Sequence, residues 1–242
     1  MEETRVLIAQ SLGQAQENNI DISNVGISFV GSGDATPNPF LEQIFEMIQK
    51  EFPNVARVRF STVAGKVAGE HKTPMEVAVK IIENPNFTGR PMVSMQVSAH
   101  STNEEQRAMH VYDQRLHPKT AHERTKKFTL DDAKNLLLPL ADIAKQFKEI
   151  ISAQKKKQIT PIRKPSLTFV CTNETEINAK SLKEFGFDPE TTVIQLRPIL
   201  SENANDCMSK EKFEAIYHEL KEVGYNVVIM PVSPSGVELL SG

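Results

Sequence analysis

Short apolar runs alternate with amphipathic helical segments along all 242 residues, and this alternation limits the fold more than any other feature of the chain. Residues 25–30, 55–62, 92–98, 167–171, 193–196 and 225–230 read as strands. Between them lie helical segments. Phe40, Leu41, Ile44, Phe45, Ile48 and Phe52 fall on one face of a helix over 38–52. Val6, Leu7 and Leu12 are expected to face inward from a helix over 3–17. A helix over 73–84 carries Pro74 in its first turn, where the missing N–H costs nothing. Residues 104–110 form a short helix, and 130–154 the longest one. The stripe of that long helix is Leu136, Leu137, Leu140, Ala144, Phe147 and Ile151, with a kink expected at Pro139. Helices over 177–185 and 209–223 follow, the second capped by Ser209 with Phe213, Ile216, Tyr217 and Leu220 inward.

Strands alternating with helices imply a parallel sheet with crossover helices. Two α/β architectures satisfy this pattern, an open doubly wound sheet and a full or partial barrel. A βα series ordinarily begins with a strand, whereas this chain opens on a helix, so a first strand is expected to be missing from it. The chain is read as one α/β domain over residues 1–242.

Composition removes several classes of function. The formal net charge of −3 argues against a surface uniformly coated by nucleic acid. Cys171 and Cys207 are the only cysteines, too few for a disulfide framework or a four-thiolate metal site. No run approaches the roughly 20 apolar residues of a membrane span, and the polar N-terminus lacks a signal core. A soluble, cytoplasmic protein with no membrane partner is expected.

Ligands of parallel α/β folds bind at the carboxyl ends of the strands. Here those ends read Gly31-Ser32-Gly33-Asp34, Ser61-Thr62, Ser98-Ala99-His100-Ser101, Cys171-Thr172-Asn173-Glu174, and Gln195 with Arg197. Small and polar residues at successive ends describe a pocket for a polar small molecule, although strand ends enter polar loops in any case. The Gly31/Gly33 pair is not a dinucleotide loop, because Thr36 replaces the third glycine and Pro37 and Pro39 delay the helix. The glycines admit close backbone approach. Asp34 then suits an ammonium group or a metal, or shapes the turn through its own backbone.

These segments, in this order, resemble the radical S-adenosylmethionine (SAM) superfamily, and within it the RlmN/Cfr-type ribosomal RNA adenine methyltransferases. Gly33 and Asp34 match the family's glycine-rich strand end, whose Gly-Glu pair contacts the SAM amino group. Ser61 falls at the next SAM-contacting strand end. The segment Ser98-Ala99-His100-Ser101-Thr102-Asn103-Glu104-Glu105-Gln106-Arg107 parallels the family's Ser-Leu-His-Ala segment, with Ser98 and His100 in the SAM-contacting places. The resemblance implies a partial (β/α) TIM-like barrel of the radical SAM type, with SAM as cofactor and a 4Fe-4S cluster.

Departures from the family pattern are specific. The three-cysteine cluster motif, C-x-x-x-C-x-x-C, is absent, so the 4Fe-4S cluster lacks its ligands in this chain; in the family the motif follows the first strand. Asp34 replaces a glutamate, and Arg197 stands where the family has a SAM-contacting asparagine. Ser241 occupies the place of the methyl-carrying cysteine, and a hydroxyl is a far poorer nucleophile than a thiolate near neutral pH. The resemblance therefore implies a SAM-binding core, with Ser241 leaving methyl relay unexpected. The alternative is a non-catalytic descendant that binds SAM, another nucleoside or RNA.

Two further groupings stand out in the sequence. His100, His110, His117 and His122 share one segment, but no cysteine completes a metal site, and a solvated or core-satisfied role is favoured. Arg124, Lys126, Lys127, Lys145, Lys148, Lys155, Lys156, Lys157, Arg163 and Lys164 make the region 124–164 basic. That region is a candidate RNA contact, set against the plainer reading of a solvated helix face and loop.

Overall fold

A computed structural model describes residues 2–29, 40–66, 72–115, 129–199 and 206–231. Six strands make one parallel sheet: β1 (Gly26–Phe29), β2 (Arg57–Thr62), β3 (Met92–Ser98), β4 (Ser166–Cys171), β5 (Val193–Pro198) and β6 (Asn226–Ile229). Their spatial order is their sequence order. A doubly wound sheet needs a reversal of strand order, and there is none here. Right-handed crossovers that all step the same way leave their helices on one side of the sheet. The arrangement is that of a partial TIM-like fold.

The helices are α1 (Glu2–Glu17), α2 (Leu41–Glu51), α3 (Pro74–Glu83), α4 (Glu104–Arg115), α5 (Leu130–Leu136), α6 (Leu140–Lys156), α7 (Ala179–Glu184) and α8 (Lys210–Glu222). Local chemistry sets several of their starts. Thr73 and Glu76 form a reciprocal capping box with Pro74 in the first turn of α3. Thr129 and Asp132 do the same for α5. Ser209 Oγ accepts the Lys212 N–H at 3.2 Å and caps α8.

Strand alternation divides the sheet into two unlike faces. Val58, Phe60, Val93, Met95, Val97, Leu167, Phe169, Ile194 and Leu196 enter one continuous core with Phe45, Ile48, Met75, Leu140, Phe147, Leu182 and Leu220 of the helices. Burying each such side chain contributes about 1.5–3 kcal/mol. The other face carries Arg57, Arg59, Ser61, Ser94, Gln96, Ser98, Ser166, Thr168, Gln195 and Arg197, none of which belongs to that core. Period-two alternation places these polar strand residues on the side away from the helices, while Thr62 falls on the helix-packed side with Val58 and Phe60.

Three sequence expectations are corrected. Val6 and Leu7 are exposed, and Ile8 and Leu12 carry the buried face of α1. Phe40 is also exposed and precedes α2. The long helix over 130–154 is two helices. Residues 137–139 leave helical geometry: Leu137 bridges Gly65, and the Leu138 N–H bonds Ala64 O at 2.8 Å. Pro139 then starts α6 instead of kinking it. Leu136, expected in the buried stripe, is exposed.

Candidate functional site

Strand register brings three of the expected residues to one end of the polar face. Ser61 pairs across β2–β3 with Gln96, and Gln96 with Ser166. One step further along, Ser98 pairs with Thr168 and Thr168 with Gln195. Thr168 Oγ1 donates to Gln195 Oε1 at 3.0 Å. Arg197 lies on the same face, level with Val170. Neighbouring residues in register across parallel strands project to one side, so hydroxyls, amides and a guanidinium form a polar ladder toward the carboxyl ends.

His100 follows β3 and is the most constrained of these groups. Its φ is 62°, and the Ser101 N–H donates across it to Ala99 O at 2.7 Å. An i→i+2 bond closed over a residue with positive φ marks a strained γ-turn. The ring is buried and stacks on His110 with centroids 5.8 Å apart. Burial, with lesser electrostatic help from His110 and Arg107, lowers its pKa to about 4. His100 is therefore neutral at pH 7, and its Nε2 is buried without a hydrogen-bond partner among the described residues. Ser61 Oγ on the adjacent strand is buried and unpartnered in the same sense. Buried polar atoms are nearly always satisfied, and each orphan costs about 1–3 kcal/mol. Both atoms lie at the carboxyl ends of neighbouring strands, the end of a parallel α/β sheet at which ligands bind.

A rigid frame surrounds them. Arg107 is wholly buried; its guanidinium donates to Val63 O at 2.8 Å, Leu138 O at 2.6 Å and Glu104 Oε2 at 3.2 Å. Glu104 Oε1 accepts the Leu140 N–H at 2.5 Å. The end of β2, the start of α4 and the start of α6 are thereby tied together. The β3–α4 connection is sewn to the loop after β4. The Thr102 N–H and the Ser101 and Thr102 hydroxyls all donate to Glu176 O, while Gln106 bonds both Glu174 O and the Glu176 N–H. Within the segment from Ser98 to Arg107, then, most polar side chains hold the rim together, and Ser98 and His100 take no part in those bonds.

The other expected residues fall as follows. Gly33, Asp34 and Ser241 lie outside the described residues, as do His117, His122, Arg124, Lys126 and Lys127. Lys145 and Lys148 are exposed on α6, and Lys155 and Lys156 are exposed in its last turn. Sequence reading missed Gln96, Ser166 and Thr168, whose signal was polar residues at alternate positions of otherwise apolar strands. It also missed the clamp role of Arg107.

The residues present do not fit an iron–sulfur cluster. Cys171 lies on the helix-packed face with Leu167 and Phe169, and burial pushes its thiol up to about 12. Cys207 Sγ is 3.5 Å from Ile199 O. Two thiols fall short of the thiolate set a cluster needs. Among the described residues, no group of three or more His, Cys, Asp or Glu side chains is placed to hold a metal ion. Nor is any described helix long and apolar enough to cross a membrane.

The fold and site together define a parallel α/β protein with a polar sheet face and two buried, unpartnered polar atoms at neighbouring strand ends. No protein-family model and no curated protein matches the chain. Among solved structures it is similar to a radical SAM methyltransferase from Sphaerobacter thermophilus, at 18% identity and a TM-score of 0.48, covering 96% of this chain and 57% of that one. It is also similar to CJP38, a β-1,3-glucanase and allergen of Cryptomeria japonica pollen, at 11% identity and a TM-score of 0.30, covering 86% of this chain and 75% of that one. The chain thus spans somewhat more than half the length of the methyltransferase.

Proposed function

We propose that this chain is a radical-SAM-like core related to the RlmN/Cfr-type methyltransferases, binding SAM at the carboxyl ends of its strands. Ser61, Ser98, His100 and Arg197 hold the cofactor, together with Gly33 and Asp34 of the loop after β1. The observation that carries the reading is the pair of buried, unpartnered atoms, Ser61 Oγ and His100 Nε2. Neutral His100 accepts or donates one hydrogen bond there without adding charge beside the SAM sulfonium. Arg197 offers a fork that suits the methionine carboxylate. Bound SAM supplies the activated sulfonium; its radical cleavage in the superfamily takes an electron from a cluster, for which this chain has no ligand set. The isolated chain is accordingly assigned SAM binding and not radical chemistry.

Calorimetry with SAM in the absence of iron tests the reading. The wild-type chain is expected to give saturable heat, weakened about tenfold by Ser61→Ala, which removes one hydrogen bond worth about 1.4 kcal/mol. Ser61→Ala also deletes an orphan hydroxyl, so the ligand-free variant should be at least as stable as wild type. Absence of heat with SAM defeats the proposal. Heat with adenosine or an RNA oligonucleotide alone favours the non-catalytic nucleoside- or RNA-binding descendant, with region 124–164 as the RNA contact.

A further inference from the structure

One side chain on the polar face is held in a single orientation with its donors unused. Ser98, Thr168, Gln195 and Val228 stand side by side in register on β3, β4, β5 and β6. Val227 enters the core, so alternation turns Val228 to the polar face, where it is exposed. Thr168 is buried, and its hydroxyl donates to Gln195 Oε1 at 3.0 Å. That is the hydroxyl's only hydrogen bond among the described residues. Turning the amide over would leave the buried hydroxyl proton without this acceptor. The bond therefore fixes the amide with Nε2 directed away from Thr168, and among the described residues Nε2 donates to nothing. Gln195 itself is half-buried, open enough for a ligand to reach it.

An amide in this state reads one kind of group. Its free N–H donors bond an acceptor and oppose an ammonium or a sulfonium. Arg197, two residues further along the same face, is the better partner for an anion. What is left for Gln195 is a neutral acceptor, and the exposed Val228 beside it offers that group an apolar flank. Within SAM, ring nitrogens and ribose oxygens set on an apolar framework belong to the nucleoside end. The methionine end presents an ammonium, a sulfonium and a carboxylate instead.

We propose that Gln195 recognises the nucleoside end of the ligand, donating from Nε2 to a ring nitrogen or a ribose oxygen, and that Thr168 is the positioning residue that holds the amide for this contact. The inference rests on the reading of the strand ends as a SAM site.

SAM and adenosine are the probes, each titrated calorimetrically into the full chain. Gln195→Glu keeps the shape of the side chain and an acceptor for Thr168, and it loses both N–H donors. It is expected to weaken SAM and adenosine by similar factors of about tenfold or more, because an acceptor then faces an acceptor. Gln195→Leu removes the donors without adding charge and is expected to weaken both ligands in the same way. Thr168→Val should weaken both about threefold in the wild-type background and have no effect in Gln195→Glu, where no donor is left to aim. A Thr168 that served structure alone would cost the same in either background. Absence of heat with SAM in the wild type defeats the reading of the site, and this inference with it. Where the wild type binds SAM, the inference alone is overturned if either Gln195 variant binds SAM like wild type, or if adenosine does not bind. It is also overturned if the variants weaken SAM and leave adenosine unchanged, since the contact then lies at the methionine end. Equal losses from Thr168→Val in both backgrounds overturn its positioning role.

Discussion

His100→Asn is the most informative single substitution in this chain. Asparagine tolerates positive φ, so it accepts the γ-turn geometry that alanine would strain. The depressed pKa of His100, about 4, makes the imidazole a stability probe. In the unfolded chain the ring titrates near 6.5. Above pH 6.5 it is neutral in both states and contributes no pH dependence. Between 6.5 and 4 the unfolded chain binds a proton that the folded protein refuses, so stability falls as pH falls through this window. The full effect is about 3 kcal/mol, of which roughly 2.5 kcal/mol is expressed between pH 7 and 4.5. Other groups titrate in the same range, so the difference between wild type and variant is the quantity that matters. Urea unfolding of both proteins at several pH values gives it, with the wild type losing about 2.5 kcal/mol more than His100→Asn. Parallel stability curves for the two proteins would refute the argument, as would an imidazole that titrates by NMR near 6.5.

Two more predictions follow from buried side chains. Arg107→Met removes a buried donor to both Val63 O and Leu138 O, and should cost about 3–5 kcal/mol by urea denaturation; a loss below about 1 kcal/mol would show that the clamp is dispensable. With Ellman's reagent at pH 8, half-buried Cys207 should react alone in the folded protein and Cys171 only after unfolding, given its thiol pushed up to about 12 by burial; equal reaction rates for both would contradict this assignment.

The strands and crossover helices were legible because each carries its own period, and all six strands begin and end within two residues of expectation. What failed was set from a distance. Pro139 marks a helix boundary, but the pull of residues 136–138 toward Ala64 and Gly65 comes from a segment about 70 residues earlier. Val6 and Leu7 are as apolar as Ile8, and only the position of α2 decides which side of α1 is covered. At the site, Ser61, Ser98 and His100 were readable as strand-end residues. The strained backbone of His100 and the orphan state of two of its polar atoms' neighbourhood, Nε2 itself and Ser61 Oγ, arise only when strands that are distant in sequence are brought side by side. Asn103, Glu104 and Gln106 belong to the same segment as Ser98 and His100, and folding commits them to bonds with the loop after β4 and the start of α6.

A sheet whose spatial order repeats its sequence order has a consequence for how the chain is made. Every strand adds beside the one synthesised just before it, so pairing follows chain order, and the connection from Ser98 at the end of β3 to Ser166 at the start of β4 is the longest closure. Assembly can proceed vectorially from the N-terminus, as in repeat proteins whose units contact only their neighbours. The growing edge is always the newest strand, and among the described residues β6 presents Val228 and Ile229 there, 39% and 49% exposed. That border is where fraying, or pairing with another chain, would begin.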